Sequence, residues 1–247
     1  MGFTSLNIKS SSEVFENSSI NISAAYFCSP QIKELKERDA SLSYCLALKN
    51  NSYIVLASDS RSCVTANTPP HAILSFVDNF EKIVYLPKAE IAFISAGKNR
   101  FGDIPFADFL RCIENNLAGK SLRESLEHVS KSIQPHLAEG NVVNLLAVKS
   151  LDAEFCDIHK DEIIGCNTVS AMWRAGQIGC GIDAMYLDDK GNLKVNVSCM
   201  SLCDMVDFAK HIINTQMEFN RYTGNVPLIG GEVQIMAFSK DGKIFQE

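Results

Sequence analysis

Two strands of different character follow one another in residues 43–61, which read SYCLALKNNSYIVLASDSR. The small side chains of Ser43, Cys45 and Ala47 alternate with large apolar ones, which is the period of a strand with two distinct faces. Two asparagines supply a turn, and an apolar run suited to a buried strand follows them. The stretch therefore predicts a β-hairpin whose first strand has one face of small residues.

The spacing of apolar residues alternates between that of strands and that of helices along the rest of the chain. It predicts elements in the order ββββ-αα-ββββ-α-ββ. Asp103 and Pro105 mark the start of the first helix, and Ser121 is the predicted N-cap of the second. The predicted strands are residues 42–48, 53–58, 82–86, 91–95, 142–148, 154–159, 163–169, 175–179, 232–238 and 243–245, and the predicted helices lie within 103–117, 121–137 and 202–213.

Hairpins dominate this order, and nowhere does it alternate as βαβαβ. Mostly antiparallel sheets with grouped helices give a layered α+β domain. Two sheets packed face to face, with helices on their outer surfaces, would bury all of these apolar faces. Serine and asparagine dominate the start of the chain, so we expect a leader over residues 1–42 and one domain over residues 43–247.

Composition excludes several classes of function. The 247 residues carry a formal net charge of −6, which argues against a protein that binds nucleic acid or an anionic membrane. No apolar run approaches the ~20 residues that a membrane span needs. The nine cysteines show no metal-ligand spacing, and no secretory signal precedes them, so we expect reduced thiols in a cytoplasmic protein with no metal or cofactor.

Residues 43–61 resemble the opening hairpin of proteasome β-type subunits, in which the nucleophile is the first residue of the mature chain and the second strand ends in Ala-x-Asp-Ser-Arg. The motif KIVYL at 82–86 resembles the strand that carries the catalytic lysine of that family. The motif ISAG at 94–97 resembles the strand end whose glycine amide forms the oxyanion hole. IGCG at 178–181 and MEFNRYTG at 217–224 resemble its later motifs, and the resemblance runs in order over residues 41–247.

This resemblance implies a divergent member of the proteasome β-type family, with the four-layer αββα sandwich of N-terminal nucleophile (Ntn) hydrolases. It implies hydrolysis of peptide bonds after self-cleavage before Ser43. It also implies a peptide or polypeptide substrate, a homo-oligomeric ring and an ATP-dependent unfoldase as partner. The residues to which it assigns the site are Ser43 as nucleophile, Lys82 and Asp59 beside it, Gly97 as oxyanion donor, and Cys180, Asn220 and Thr223 around the α-amine.

Several positions depart from the family pattern and leave alternatives open. Leu42 stands where the family has glycine, which would give the scissile bond room to twist. Asn220 replaces an aspartate, and Cys180 replaces a serine. One alternative is a non-catalytic subunit that serves as an assembly module, with Asp59 and Lys82 as a structural ion pair. Another is an Ntn amidohydrolase that uses Cys45 as its nucleophile.

Overall fold

The computed structural model describes residues 43–65, 73–101, 103–176, 186, 194–222 and 229–247, without the side chains of residues 64, 65, 73–75 and 220. The predicted leader, residues 1–42, lies outside this part of the chain. Among the helices of these segments, none combines the length and the apolar composition needed to cross a bilayer.

Fourteen strands and three α-helices are present in the described segments, in the predicted order with two small hairpins added. The strands are β1 Tyr44–Lys49, β2 Tyr53–Asp59, β3 Ser62–Thr65, β4 Ile73–Val77, β5 Ile83–Leu86, β6 Ile91–Gly97, β7 Arg100–Phe101, β8 Ile104–Pro105, β9 Val142–Lys149, β10 Asp152–His159, β11 Ile163–Thr168, β12 Met172–Gly176, β13 Val233–Ser239 and β14 Gly242–Gln246, and the helices are α1 Phe106–Leu117, α2 Leu122–Ile133 and α3 Leu202–Tyr222.

Two five-stranded sheets form the centre of the domain. The first has the strand order β12-β1-β2-β13-β14, and the second has the order β11-β10-β9-β6-β5. Every strand pair within them is antiparallel. The predicted α+β class with antiparallel sheets is therefore confirmed.

Three apolar clusters show which faces pack together. One joins the two sheets, because it contains residues of β1, β2 and β13 together with residues of β5, β6 and β9. A second packs α1 and α2 against the other face of the second sheet, and a third packs α3 against the other face of the first sheet. Within β1, Cys45 and Ala47 belong to the cluster between the sheets, whereas Tyr44, Leu46 and Leu48 face α3, as the alternation predicted.

The second helix start follows its predicted signal, and the first does so only in position. Helix α1 begins directly after Pro105, which occupies the N-cap position, and its start has no side-chain cap from Asp103. Ser121 caps α2 as predicted. The Ser121 hydroxyl accepts a hydrogen bond from the Glu124 amide, and the Glu124 carboxylate accepts one from the Ser121 amide, which completes a capping box. This reciprocal pairing satisfies two amide groups that the helix itself leaves without partners.

Two details differ from the prediction. Strand β12 begins at Met172 rather than at Ala175, because its pairing with β1 begins with Met172 opposite Leu48. Residues 177–179 of the predicted strand lie outside the described residues. The segment between the predicted strands 53–58 and 82–86, to which no element was assigned, contains the β3–β4 hairpin. The Arg61 guanidinium supports this hairpin, since it lies 4.2 Å from the centre of the Phe76 ring.

Candidate active site

The carboxylate of Asp59, at the end of β2, is buried and accepts four hydrogen bonds. Lys82 Nζ donates to Oδ1 over 2.8 Å, and the Tyr44 amide donates to the same oxygen over 2.9 Å. The amides of Arg61 and Gly230 each donate to Oδ2 over 3.2 Å. The side chains of Lys82 and Asp59 are 1% and 0% exposed. A charge removed from water in this way is tolerated because an opposite charge and several N–H donors surround it.

Ser43 lies directly beside this ion pair along the chain. The Tyr44 amide belongs to the peptide bond that follows Ser43, and it shares Asp59 Oδ1 with the Lys82 ammonium. Lys82 Nζ therefore lies within two hydrogen-bond lengths of that amide nitrogen. Ser43 itself is buried, at 4% exposure. The structure thus brings Ser43, Asp59 and Lys82, the predicted nucleophile and its two partners, into one small region.

The backbone of Ser43 is fixed by a close approach from β12. Gly176 lies opposite Tyr44, with φ at +106°. A Cβ atom at Gly176 would stand 1.7 Å from the carbonyl oxygen of Ser43, which no side chain can do without moving the backbone. Glycine at position 176 therefore allows β1 to begin where it does.

Gly97, the predicted oxyanion donor, ends β6 under a similar constraint. Its φ is +102°, and a Cβ atom there would stand 2.1 Å from the carbonyl oxygen of Val142. The two sheets meet near this point, because the Cys45 thiol donates to the Ser95 carbonyl over 3.3 Å. Gly97 is two residues beyond that contact on β6, and Ser43 is two residues before it on β1.

Gln234 on β13 positions Lys82 and was missed by the sequence analysis. Its Oε1 accepts a hydrogen bond from the Lys82 amide over 3.0 Å, and its Nε2 donates one to the Phe80 carbonyl over 2.9 Å. One amide side chain thus holds the backbone on both sides of Glu81. A glutamine within an apolar strand is unusual, and this could have marked Gln234 as a residue with a specific contact. The strand pattern alone does not say which neighbouring segment the side chain contacts.

Arg61 and Gly230 form a second feature that the motifs did not indicate. The Arg61 guanidinium binds both carboxylate oxygens of Asp78, at 2.7 and 2.9 Å. This hydrogen bonding raises the pKa of Arg61 and lowers the pKa of Asp78. A Cβ atom at Gly230 would stand 2.6 Å from Arg61 Cζ, so glycine there lets the arginine lie against the loop whose amide binds Asp59.

The thiol of Cys45, the alternative nucleophile, is fully buried. Burial raises its pKa to about 12, while the nearby Lys82 opposes the shift and Asp59 adds to it. A thiol is nucleophilic only as the thiolate. At neutral pH this one stays protonated and donates to a backbone carbonyl, which does not support the Cys45 alternative.

The remaining predicted site residues lie partly or wholly outside the described residues. Cys180 and Thr223 fall in segments that are not described, and Asn220 lies near the end of α3 without a described side chain. Among the described residues, no three His, Cys, Asp or Glu side chains lie close enough together to hold a metal ion.

Comparison with solved structures shows a likeness in fold. Two structures of Anbu from Hyphomicrobium sp. strain MC1, one of them a Gly-1 mutant, match this chain with a TM-score of 0.55 and 11% sequence identity. Each alignment covers 83% of this chain and 86% of the Anbu chain. No protein-family model matches the sequence, and no curated protein does either.

These findings correct the assignment made from the sequence. Membership of the proteasome β-type subunit family is wrong, since no model of any family matches. The supported statement is a likeness in fold to Anbu. The motifs misled for a physical reason: short glycine-rich and Asp-Ser-Arg segments end strands at close backbone approaches, so they report the local backbone geometry rather than the family.

Proposed function

We propose that this chain is an Ntn hydrolase that cleaves peptide bonds with the Ser43 hydroxyl after the bond between Leu42 and Ser43 has been cut. The observation that carries the proposal is the buried Asp59–Lys82 ion pair, which binds the amide directly after Ser43. The likeness in fold between this chain and Anbu also supports the proposal that the chain is a hydrolase of this fold.

The proposed mechanism uses the α-amine of Ser43 as base, because a neutral hydroxyl is a poor nucleophile without one. A free α-amine has a pKa of about 8, and the positive charge of Lys82 nearby favours its neutral form by repulsion. The amine takes the hydroxyl proton while Oγ attacks the substrate carbonyl. The Gly97 amide would donate to the resulting oxyanion. The proton then passes to the leaving amine, and water hydrolyses the ester left on Ser43.

The finer architecture belongs to the same proposal. The three apolar clusters, taken in the order helices, sheet, sheet, helix, support a four-layer αββα sandwich. Residues 1–42 would be a propeptide released by self-cleavage. Cys180, Asn220 and Thr223 would surround the new α-amine.

Assembly and location are also proposed. We expect a homo-oligomeric ring in the cytoplasm that takes peptides or polypeptides as substrate, with an ATP-dependent unfoldase as a further partner. Support for assembly comes from β14, an edge strand with Ile244 and Phe245 exposed by 46% and 37%. Exposed edges with apolar side chains favour pairing with another chain.

A non-catalytic assembly module is the second candidate, and two observations favour it. Three backbone amides bind Asp59, so the ion pair also holds together the start of β1, the end of β2 and the loop before β13. Leu42 is bulky, which disfavours the twist that self-cleavage of the next bond requires. In this reading, Ser43 stays within the chain.

A β-lactone probe separates the two candidates, because it acylates an activated hydroxyl and adds its own mass to that residue. We expect peptide mapping to find the label on Ser43 in the wild type and in the exposed-lysine control Lys88→Ala. In Lys82→Ala that remains folded, the labelling should fall by about a hundredfold or more, the scale of proton-transfer catalysis, because the α-amine would lose the charge that keeps it neutral. Labelling that is absent from the wild type, or equal in Lys82→Ala, would favour the assembly module.

A further inference from the structure

Two cysteines lie on neighbouring strands, far along the sequence from the proposed nucleophile. Cys156 is on β10 and Cys166 is on β11, and these two strands pair directly. Both lie on the sheet face that packs against α2, since both belong to the same apolar cluster. Both are free thiols in this structure.

The strand pairing places these two residues opposite each other at a β-bulge. Phe155 pairs with Asn167 and Asp157 pairs with Ile164, so Cys156 alone faces the two residues between them, Gly165 and Cys166. Opposed residues of antiparallel strands have Cα atoms about 4.5–5.5 Å apart. A disulfide spans Cα distances of about 4.4–6.8 Å. A regular opposed pair therefore has the Cα spacing of a disulfide, and the bulge makes Cys166 one of the two residues that face Cys156.

The surroundings of the pair hold it in position. The Ser130 hydroxyl of α2 lies 3.1 Å from the Cys156 sulfur and donates to the Leu126 carbonyl over 2.7 Å. Arg123, also on α2, donates to the Cys166 carbonyl over 2.8 Å. Helix α2 thus contacts both cysteines, one through its sulfur and the other through its backbone.

The two thiols differ in access. Cys156 is fully buried, whereas Cys166 is partly exposed on the edge strand of the sheet. Burial raises the pKa of Cys156 to about 12 and also raises that of Cys166, where the nearby Arg123 opposes the shift. Both thiols therefore react through a small thiolate fraction, so the exchange is expected to be slow at neutral pH and faster as the pH rises. Because Cys166 is the more exposed of the two, it meets an oxidant from solution first, and Cys156 reacts second.

We propose that Cys156 and Cys166 form a reversible disulfide by exchange with a glutathione-type disulfide. The Cys166 thiolate attacks one sulfur of the oxidised glutathione and expels one glutathione thiolate. Cys156 then attacks the Cys166 sulfur, and the second glutathione leaves. The protein loses two protons and two electrons, and the oxidised glutathione becomes two reduced glutathione molecules.

This disulfide would attach the edge strand β11 covalently to its neighbour. Among the described strands, β11 pairs with β10 alone, and Ile164 on it is 44% exposed. Edge segments with few contacts open more easily than the rest of a fold. Oxidation is thus expected to slow amide hydrogen exchange in β11 while leaving exchange in β5, the opposite edge of the sheet, unchanged.

The test treats the purified protein with oxidised glutathione, blocks the remaining thiols under denaturing conditions and maps peptides by mass spectrometry. In the wild type we expect one linked peptide pair joining Cys156 to Cys166, the loss of both as alkylatable thiols, and reversal by a reductant. Cys156→Ala should stop at a mixed disulfide of Cys166 with glutathione. The control Cys112→Ala, at an exposed thiol, should form the linked pair as the wild type does.

Three results would overturn the proposal. They are a wild type that accumulates the Cys166 mixed disulfide without the linked pair, a Cys166 that stays unmodified, and linkage of Cys166 to another cysteine. If Cys156→Ala fails to fold, Cys166→Ala at the edge strand gives the same decision, since Cys156 should then remain fully reduced. Slower exchange in β11 of the oxidised wild type supports the attachment, and unchanged exchange contradicts it.

Discussion

Asp59 gathers four donors from four separate segments of the chain, and this determines how its neighbours respond to substitution. Lys82 supplies the opposite charge, and the amides of Tyr44, Arg61 and Gly230 complete the shell. In a buried pair of this kind, removing one partner leaves a charge without compensation, which is more costly than the loss of one contact.

The first prediction concerns this pair. Lys82→Ala is expected to lower the free energy of unfolding by about 3–5 kcal/mol, because Asp59 would stay buried without a counter-charge. The control Lys88→Ala, at an exposed lysine, should change it by no more than about 0.5 kcal/mol. Urea unfolding measures both, and equal values for the two variants would contradict the buried charge described here.

The second prediction concerns Cys45 and alkaline pH. Its pKa is raised from 9.0 to about 12, so the folded state keeps a proton that the unfolded state loses. The stabilisation this provides is present below pH 9 and is lost as the pH rises towards 12. Each unit of pH then lowers the free energy of unfolding by up to about 1.4 kcal/mol for this one proton.

Cys45→Ala should therefore unfold with a shallower dependence on pH above 9 than the wild type. The exposed-thiol variant Cys112→Ala serves as the control and should keep the wild-type dependence. Denaturant melts at several pH values provide the comparison. If all three proteins show the same slope, the Cys45 thiol is not held protonated by burial.

At the scale of elements, several strands end at glycines. Two of these glycines have the same φ angle but different surroundings, so comparing them separates the effect of crowding from that of backbone strain. Gly176 and Gly242 both have φ at +106°, but a Cβ atom at Gly176 would meet Ser43, whereas at Gly242 nothing lies within 4 Å. Any cost that the two share comes from the φ angle, and any excess comes from the contact between β12 and the start of β1.

The third prediction follows from this pair. Gly242→Ala should lower the free energy of unfolding by about 1–3 kcal/mol, because an L side chain is strained in that backbone region. Gly176→Ala should cost more and should displace Ser43, so it should also reduce the β-lactone labelling of Ser43. Unfolding and labelling of the two variants test this, and similar results for both would show that β12 does not constrain Ser43.

Elements with strong local signals were predictable, and those fixed by distant contacts were not. The start of α2 follows from Ser121, because a serine N-cap acts within one turn. The start of β12 was predicted too late, because it depends on pairing with β1, more than a hundred residues earlier. The β3–β4 hairpin was missed because contacts between residues far apart in the sequence stabilise it: Arg61 contacts Phe76 and Asp78. A short stretch of sequence does not show such contacts.

The same distinction holds for the site. Ser43, Asp59 and Lys82 were named through the resemblance of short motifs at strand ends; the structure places them close together, and their role as a site stays a prediction. Gln234 was not, because its two hydrogen bonds reach across to the segment before β5. The prediction of family membership was wrong for a related reason. Two chains can share a backbone arrangement at 11% identity, so short motifs at strand ends did not distinguish a likeness in fold from membership of a family.

For the whole molecule, the central question is whether the chain is cut before Ser43. The chemistry proposed above needs a free α-amine on that residue, and Leu42 is the feature that most opposes cleavage. Leu42→Gly would relieve this steric barrier, so it should be cut faster than the wild type if self-cleavage occurs.

The decisive measurement is the intact mass of the purified protein, compared among the wild type, Ser43→Ala and the exposed-serine control Ser52→Ala. Full-length protein has a mass of 27.2 kDa. We predict that the wild type and Ser52→Ala have the mass of residues 43–247, whereas Ser43→Ala remains full length. A wild type that stays full length, together with a full-length Leu42→Gly, would contradict the hydrolase proposal and leave the assembly module in its place.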